Sequence, residues 1–192
     1  MLAKNISWNI ILASKSPRRQ NLLKELGFNF EIITKEIAEI YPPELQKEKV
    51  AVFLSELKAS AFKQGLKPND LILTSDTIVC LGDEIIGKPT DREDAIKMLG
   101  KLSGNKHEVI TAVTLLSKEK QHTFYDVTEV YFKELSAQEI EYYIDNYKPF
   151  DKAGSYGIQE WIGYIGIEKI SGSYFNVMGL PVKRVYDEIL KF

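Results

Sequence analysis

The chain has 192 residues, 44% of them hydrophobic and 27% charged, which is ordinary globular composition and excludes a disordered or fibrous protein. There are 25 Lys and Arg against 27 Asp and Glu, so the net charge of -2 supplies no bulk basic field for duplex nucleic acid. The single cysteine, Cys80, excludes an internal disulfide framework and a multi-cysteine zinc site.

The chain reads as one domain over residues 1–192, because domains run to about 150 residues and no linker, repeat or low-complexity tract interrupts it. The apolar run Trp8–Ala13 is too short for a signal peptide. No stretch approaches the ~20 apolar residues of a membrane span. These features point to a soluble, cytoplasmic protein.

In chain order, Asn9–Ala13 reads as a short buried strand. A helix follows, with Ser16 as N-cap, Pro17 in the first helical position, Leu22, Leu23 and Leu26 as its apolar stripe and Gly27 to close it. The alternation of Phe28, Phe30 and Ile32 predicts a second strand over Phe28–Ile33, and Thr34–Pro43 is a polar loop. Glu44–Lys63 predicts an amphipathic helix, with Val50, Phe53, Leu54, Leu57 and Ala61 on one face. Leu71–Leu81 is a buried strand interrupted by Thr74, Ser75, Asp76 and Thr77, and Gly82-Asp83 turns it into a hairpin with Glu84–Ile86.

Thr90 and Glu93 predict a capping box for a helix through Ile96 and Leu99. Glu108–Leu116 and His122–Phe132 form a second hairpin. Ser136 and Glu139 repeat the capping-box pattern before Ile140, Tyr143 and Ile144. Asp151–Gln159 is a glycine-rich loop and Trp161–Ile170 is strand-like. Pro181 opens a last helix with Val182, Val185, Tyr186 and Ile189 at helical spacing. Mixed hairpins and helices point to an α/β or α+β fold with a mixed sheet.

Four segments carry chemistry. Ser14-Lys15-Ser16-Pro17-Arg18-Arg19 joins a strand to a helix start, where unpaired backbone N–H groups and the helix dipole favour an anion. Two arginines stand where acidic residues are usual, which suits a phosphate cradle or else a solvated surface helix. Ser75-Asp76-Thr77 puts a carboxylate inside an apolar strand, a costly placement that suits a metal ligand or general base, or else a solvated strand end. Gly82–Lys88 spells G-x-x-x-x-G-K, but Pro89 follows where a P-loop needs Ser or Thr, and Asp83 and Glu84 would repel phosphates. A P-loop is therefore rejected, and Lys88 is left either as a phosphate contact or as an exposed lysine. Asp151–Gln159 lets backbone approach a ligand closely, and Gln159 offers a donor and an acceptor to a base edge. His107 and His122 have no second ligand at metal spacing, Cys80 reads as core, and Trp8 and Trp161 read as packing residues. Lys58 sits beside the apolar stripe of its helix, with a stem long enough to reach a pocket.

Five segments in order give the chain its resemblance to the Maf family of nucleoside triphosphate pyrophosphatases. They are Leu12–Arg19, Ser75–Val79, Gly87–Pro89, Asp151–Gln159 and Gly172–Pro181. The A-G-x-Y-x-I-Q pattern at Ala153–Gln159 is similar to the branch acting on dTTP and UTP. The resemblance implies a mixed central sheet flanked by helices, like that of inosine triphosphatases, with an active-site cleft between two lobes. It implies Asp76 as proton acceptor, Arg18, Thr77 and Gln159 as specificity positions, and Ser14, Arg19, Lys58 and Lys88 as polar pocket residues. Lys58 and Lys88 would act on the phosphates with Asp76, and Glu39 would join Asp76 in holding Mg²⁺ or Mn²⁺. Ala38 stands where the family often has a second acidic residue, and Glu160 where it usually has glycine. A homodimer is also implied, acting on nucleoside triphosphates to release monophosphate and pyrophosphate. The alternatives are the same chemistry on inosine or 7-methylguanosine triphosphate, and a non-catalytic nucleotide-binding protein linked to cell division.

Overall fold

The computed structural model describes residues 7–192. Residues 1–6, which open the segment inspected above for targeting signals, lie outside the described residues. The strands are β1 (Asn9–Leu12), β2 (Phe30–Ile32), β3 (Asp70–Leu81), β4 (Glu84–Ile86), β5 (Lys106–Leu116), β6 (Gln121–Phe132) and β7 (Ile167–Ser171). The helices are α1 (Pro17–Glu25), α2 (Glu48–Ser60), α3 (Arg92–Leu102), α4 (Ala137–Tyr147), α5 (Trp161–Gly166), α6 (Tyr174–Val177) and α7 (Val182–Lys191). Among the described residues the sheet runs β2-β1-β3-β5-β6-β7, with β4 paired to β3. β1 lies parallel to β2 and β3, whereas β3–β4 and β6–β7 are antiparallel. This is the mixed α/β sheet expected from the sequence. No helix among the described residues is long and apolar enough to cross a membrane.

The chain divides into two compact units. The first takes the chain up to Asp76, Thr111–Asp126 and Gly179–Phe192; the second takes Thr77–Ile110 and Val127–Met178. In the first unit α1 and α2 carry the chain between parallel strands, as parallel pairing demands a crossover. Ile11, Ala59, Phe62, Ile72 and Leu116 are buried together there. The second unit has its own apolar cluster, which includes Val79, Leu99, Val109, Phe132, Tyr143, Tyr156 and Ile162. Cys80 is fully buried in β3.

Local signals explain several boundaries. The Ser16 hydroxyl accepts the Arg19 N–H at 3.5 Å, Pro17 occupies the first helical position, and Gly27 follows α1 with φ +78°. Ser136 and Glu139 form both halves of a capping box on α4. Trp8 packs edge-on against Phe192 and Trp161 packs against Tyr142, as packing residues should. His107 is buried against Phe132 and bonds Tyr156 through Nε2 at 2.8 Å; burial pushes its pKa down to about 4. His122 pairs with Glu188 at 3.1 Å.

Other expectations are corrected. The helix predicted over Glu44–Lys63 is the shorter α2. Pro42 and Pro43 keep the preceding chain out of helix, and Lys47 at its N-cap has φ +45°. α3 is capped by Asp91, whose carboxylate accepts the Asp94 N–H at 2.8 Å, and not by Thr90 with Glu93. Within Trp161–Ile170 the first six residues are α5 and only the remainder enters β7. Ile162 and Gly166 are its buried residues, four apart as a helix requires. The strand expected over Phe28–Ile33 shrinks to three residues at the sheet edge. Phe28 turns in to stack on Tyr186, while Ile32 and Ile33 are exposed.

Candidate active site

In the first unit two carboxylates converge on one ammonium. Lys58, in the last turn of α2, places Nζ 2.5 Å from Asp76 Oδ1 and 2.8 Å from Glu39 Oε1. The Asp76 side chain is 8% exposed, that of Lys58 16% and that of Glu39 44%, so the pair at the centre is largely withdrawn from water and Glu39 forms its rim. Burial pushes the Asp76 carboxyl above the usual carboxylate range, against the opposing pull of Lys58 and Arg19. Burial also lowers the pKa of Arg19, while Asp76 favours its charged form; a guanidinium remains protonated.

A buried hydroxyl pair sets this geometry. Thr74 Oγ1 donates to the Ser55 carbonyl at 2.8 Å, and Ser55 Oγ lies 2.9 Å from Thr114 Oγ1. Ser55 and Lys58 are three apart on α2, and Thr74 and Asp76 are two apart on β3, so each pair shares a face. Fixing Ser55 on Thr74 therefore fixes the register that brings Lys58 to Asp76. β1 is paired with β3 as far as Leu73 and β4 is paired with it from Val79, so Asp76 lies in the interval where the strand exchanges partners.

The start of α1 belongs to the same cluster. Ser14 is buried just after β1; its hydroxyl accepts the Ser16 N–H at 3.2 Å and its carbonyl accepts from the Gln20 amide at 3.1 Å. No acidic residue occupies the first turn of α1. Arg19 donates through Nε to the Gly179 carbonyl at 2.8 Å, and Ser75 Oγ donates to the same oxygen at 3.2 Å. Arg18 and Glu39 both act electrostatically on Arg19. The arrangement concentrates positive charge and backbone N–H groups around a buried carboxylate, a combination suited to polyanions.

The second unit joins two of the sequence segments. The Gly154 N–H donates to the Gly87 carbonyl at 2.9 Å, which ties the Asp151–Gln159 loop to Gly87-Lys88-Pro89. Gly154 has φ +70°, and a Cβ there would lie 3.0 Å from Val79. Gln159 lies within a turn closed by the Glu160 N–H on the Gly157 carbonyl at 3.0 Å. Its Oε1 is buried and makes no hydrogen bond among the described residues.

Of the residues singled out in the sequence, Ser14, Arg18, Arg19, Glu39, Lys58 and Asp76 fall in the first unit; Thr77, Lys88 and Gln159 fall in the second. No group of three or more potential metal-ligating side chains occurs among the described residues. Two convergent carboxylates nevertheless suit a hard cation such as Mg²⁺, which commonly binds one or two carboxylates and completes its shell with substrate phosphates and water. Glu39 and Asp76 already aim oxygens at one cationic point, the Lys58 ammonium. Sequence reasoning missed Ser55 and the Gly179 carbonyl. A lone serine on an apolar helix face was the available sign of the first. The second is a backbone atom and carries no side-chain signature.

The Maf-like protein family model matches residues 9–192. A protein named dTTP/UTP pyrophosphatase from Cytophaga hutchinsonii is 54% identical over 183 residues, 95% of this chain and 84% of that one. A protein of the same name from Phocaeicola vulgatus is 53% identical over 192 residues, with both chains fully covered. Among solved structures, the Ham1 protein of Staphylococcus aureus gives a TM-score of 0.40 at 18% identity, covering 65% of this chain and 71% of that one.

Proposed function

The chain belongs to the Maf-like protein family, and from that premise we propose that it hydrolyses nucleoside triphosphates, dTTP and UTP preferred, to the nucleoside monophosphate and pyrophosphate. The observation that carries the chemistry is the buried Asp76 carboxylate held by Lys58 beside a helix start bearing two arginines. Relatives named dTTP/UTP pyrophosphatase that align over most of this chain support the substrate class.

Water attacks the α-phosphorus, the bond from it to the bridging oxygen breaks, and pyrophosphate leaves. Asp76 accepts the proton that water gives up. Lys58 orients the carboxylate and offsets charge building on the phosphate oxygens. Arg18, Arg19 and the N–H groups behind Ser14 and Ser16 bind the phosphates, and Lys88 adds a further cation. Asp76 and Glu39 would hold Mg²⁺ or Mn²⁺, which when bound neutralises phosphate charge and acidifies water.

Gln159 reads the base. Uracil and thymine present O4 beside N3–H, which an amide meets with its N–H and its carbonyl; such a bidentate pair gives about 1–3 kcal/mol of discrimination. Thr77 contributes to the same selectivity. A homodimer and a cytoplasmic setting complete this reading on the strength of the family resemblance.

The deciding experiment is product chromatography after incubation with UTP and Mg²⁺. UMP and pyrophosphate are expected, and an Asp76→Asn variant should lose nearly all turnover while melting like the parent. UDP and orthophosphate as products, or near-parental turnover in the variant, would defeat the proposal.

A further inference from the structure

A single hydroxyl holds both ends of the turn that carries Gln159. The Gly157 N–H donates to the Tyr143 oxygen at 3.0 Å, and the Tyr143 O–H donates to the Glu160 carboxylate. The other Glu160 oxygen lies 3.2 Å from Lys152 Nζ, which also bonds Asp151 at 2.8 Å. Tyr143 is fully buried on α4 and Lys152 is 9% exposed, so the clamp is anchored in the interior of the second unit. Burial and the neighbouring Glu160 hold the Tyr143 hydroxyl protonated, as a donor must be.

Between the two clamped points, Ile158 is buried and Gln159 folds back over the bare Cα of Gly157. A Cβ there would lie 3.0 Å from Gln159 Nε2 and 2.8 Å from Glu160 Cδ. From the other side Tyr164 Oη donates to the Gln159 carbonyl at 2.8 Å. The backbone of Gln159 is thus fixed on both flanks, while its side-chain oxygen is buried without a hydrogen bond among the described residues. The turn is held around an amide oxygen that makes no hydrogen bond among the described residues, and a buried acceptor of that kind gains from a donor that a ligand brings.

We propose that Tyr143 and Glu160 are positioning residues that aim the Gln159 amide at the base, and so set base selectivity without touching the substrate. The inference rests on the assignment of Gln159 to the base edge. Without the Glu160 carboxylate, Tyr143 still holds Gly157 and the backbone bond from the Glu160 N–H to the Gly157 carbonyl remains, but the side-chain tie from Glu160 to α4 is lost.

The test is the ratio of kcat/KM for UTP to that for CTP in Glu160→Ala, Glu160→Gln, Tyr143→Phe and Gln159→Glu, each checked for a cooperative melt. Gln159→Glu should lower the ratio about tenfold, the size of one good base contact. Glu160→Ala should lower it about fivefold, chiefly through KM for UTP. Glu160→Gln still accepts the Tyr143 hydroxyl and should keep the ratio within about twofold of the parent. If Gln159→Glu moves the ratio and Glu160→Ala does not, the clamp only holds the fold and the proposal is overturned. If neither moves it, the Gln159 assignment itself has failed and the proposal falls with it. A ratio moved by Glu160→Ala but not by Gln159→Glu overturns it too, since the clamp would then act through another group. Should Glu160→Ala not melt cooperatively, Tyr143→Phe decides by the same criteria.

Discussion

Replacing Lys58 with methionine keeps the stem packed and deletes the ammonium that serves both Asp76 and Glu39. Asp76, at 8% exposure, then carries a charge with its closest partner gone. Removing one member of a buried pair costs roughly 3–5 kcal/mol, and the remaining pull of Arg19 argues for about 3. For a chain of this size that is a fall in Tm of roughly 6–12 °C. The sign with pH follows from linkage. A carboxyl whose folded pKa lies above its unfolded value loses stability on ionising, so its cost appears as pH rises and vanishes when it is protonated in both states. Asp76 is already raised in the parent, and Lys58→Met raises it further. The stability gap between parent and variant should therefore be smallest at the lowest pH, where the carboxyl is protonated in both folded proteins. It should widen by at most about 1.4 kcal/mol per pH unit once the parent carboxyl ionises, and level off above the variant's pKa. Urea denaturation in excess chelator at pH 4.5, 6 and 8 measures this directly. Adding Asp76→Asn should erase the pH dependence, since no charge remains to bury. A gap of equal size at all three pH values, or one that survives Asp76→Asn, would refute the account of Lys58 as the compensating charge.

Activity should vanish in excess chelator and return with Mg²⁺ or Mn²⁺, and full turnover in chelator would remove the cation from the scheme. Gly163→Ala puts a Cβ 1.9 Å from the Ile158 carbonyl oxygen, so α5 must shift; urea denaturation should show a loss of at least about 2 kcal/mol. His107 is neutral in the fold at about 4 against an ordinary value near 6.5, so stability should fall as pH drops from about 6.5 towards 4, by roughly 3 kcal/mol in all. His107→Gln keeps a side-chain partner for Tyr156 and should flatten that acid limb, which denaturation midpoints across the range would reveal.

Where a residue's role is local, the sequence was readable. Ser16, Pro17 and Gly27 mark the ends of α1 because caps depend on immediate neighbours. Asp76 stood out because a carboxylate inside an apolar strand has few physical excuses. Its actual partner, Lys58, looked like an ordinary boundary residue, since only the tertiary register fixed by Ser55 and Thr74 brings α2 to that point of β3. Trp161–Ile170 reads as strand because its short apolar run fits either period, and the helix is decided by the close seat of Gly163 over Ile158. Glu160 was visible as a departure from the family pattern, yet its tie to Tyr143 crosses from the loop to another helix and leaves no trace in spacing.

The burial of Cys80 gives the protein a built-in reporter. It is the sole thiol of the chain and lies fully enclosed on β3, four residues after Asp76 on the same strand. A thiol-reactive dye can reach it only when that part of the strand opens. Labelling kinetics on the unaltered protein therefore measure the opening free energy of the strand that bears the carboxylate. Substrate, product or cation binding can then be followed as a slowing of that reaction, with no engineered label and no turnover.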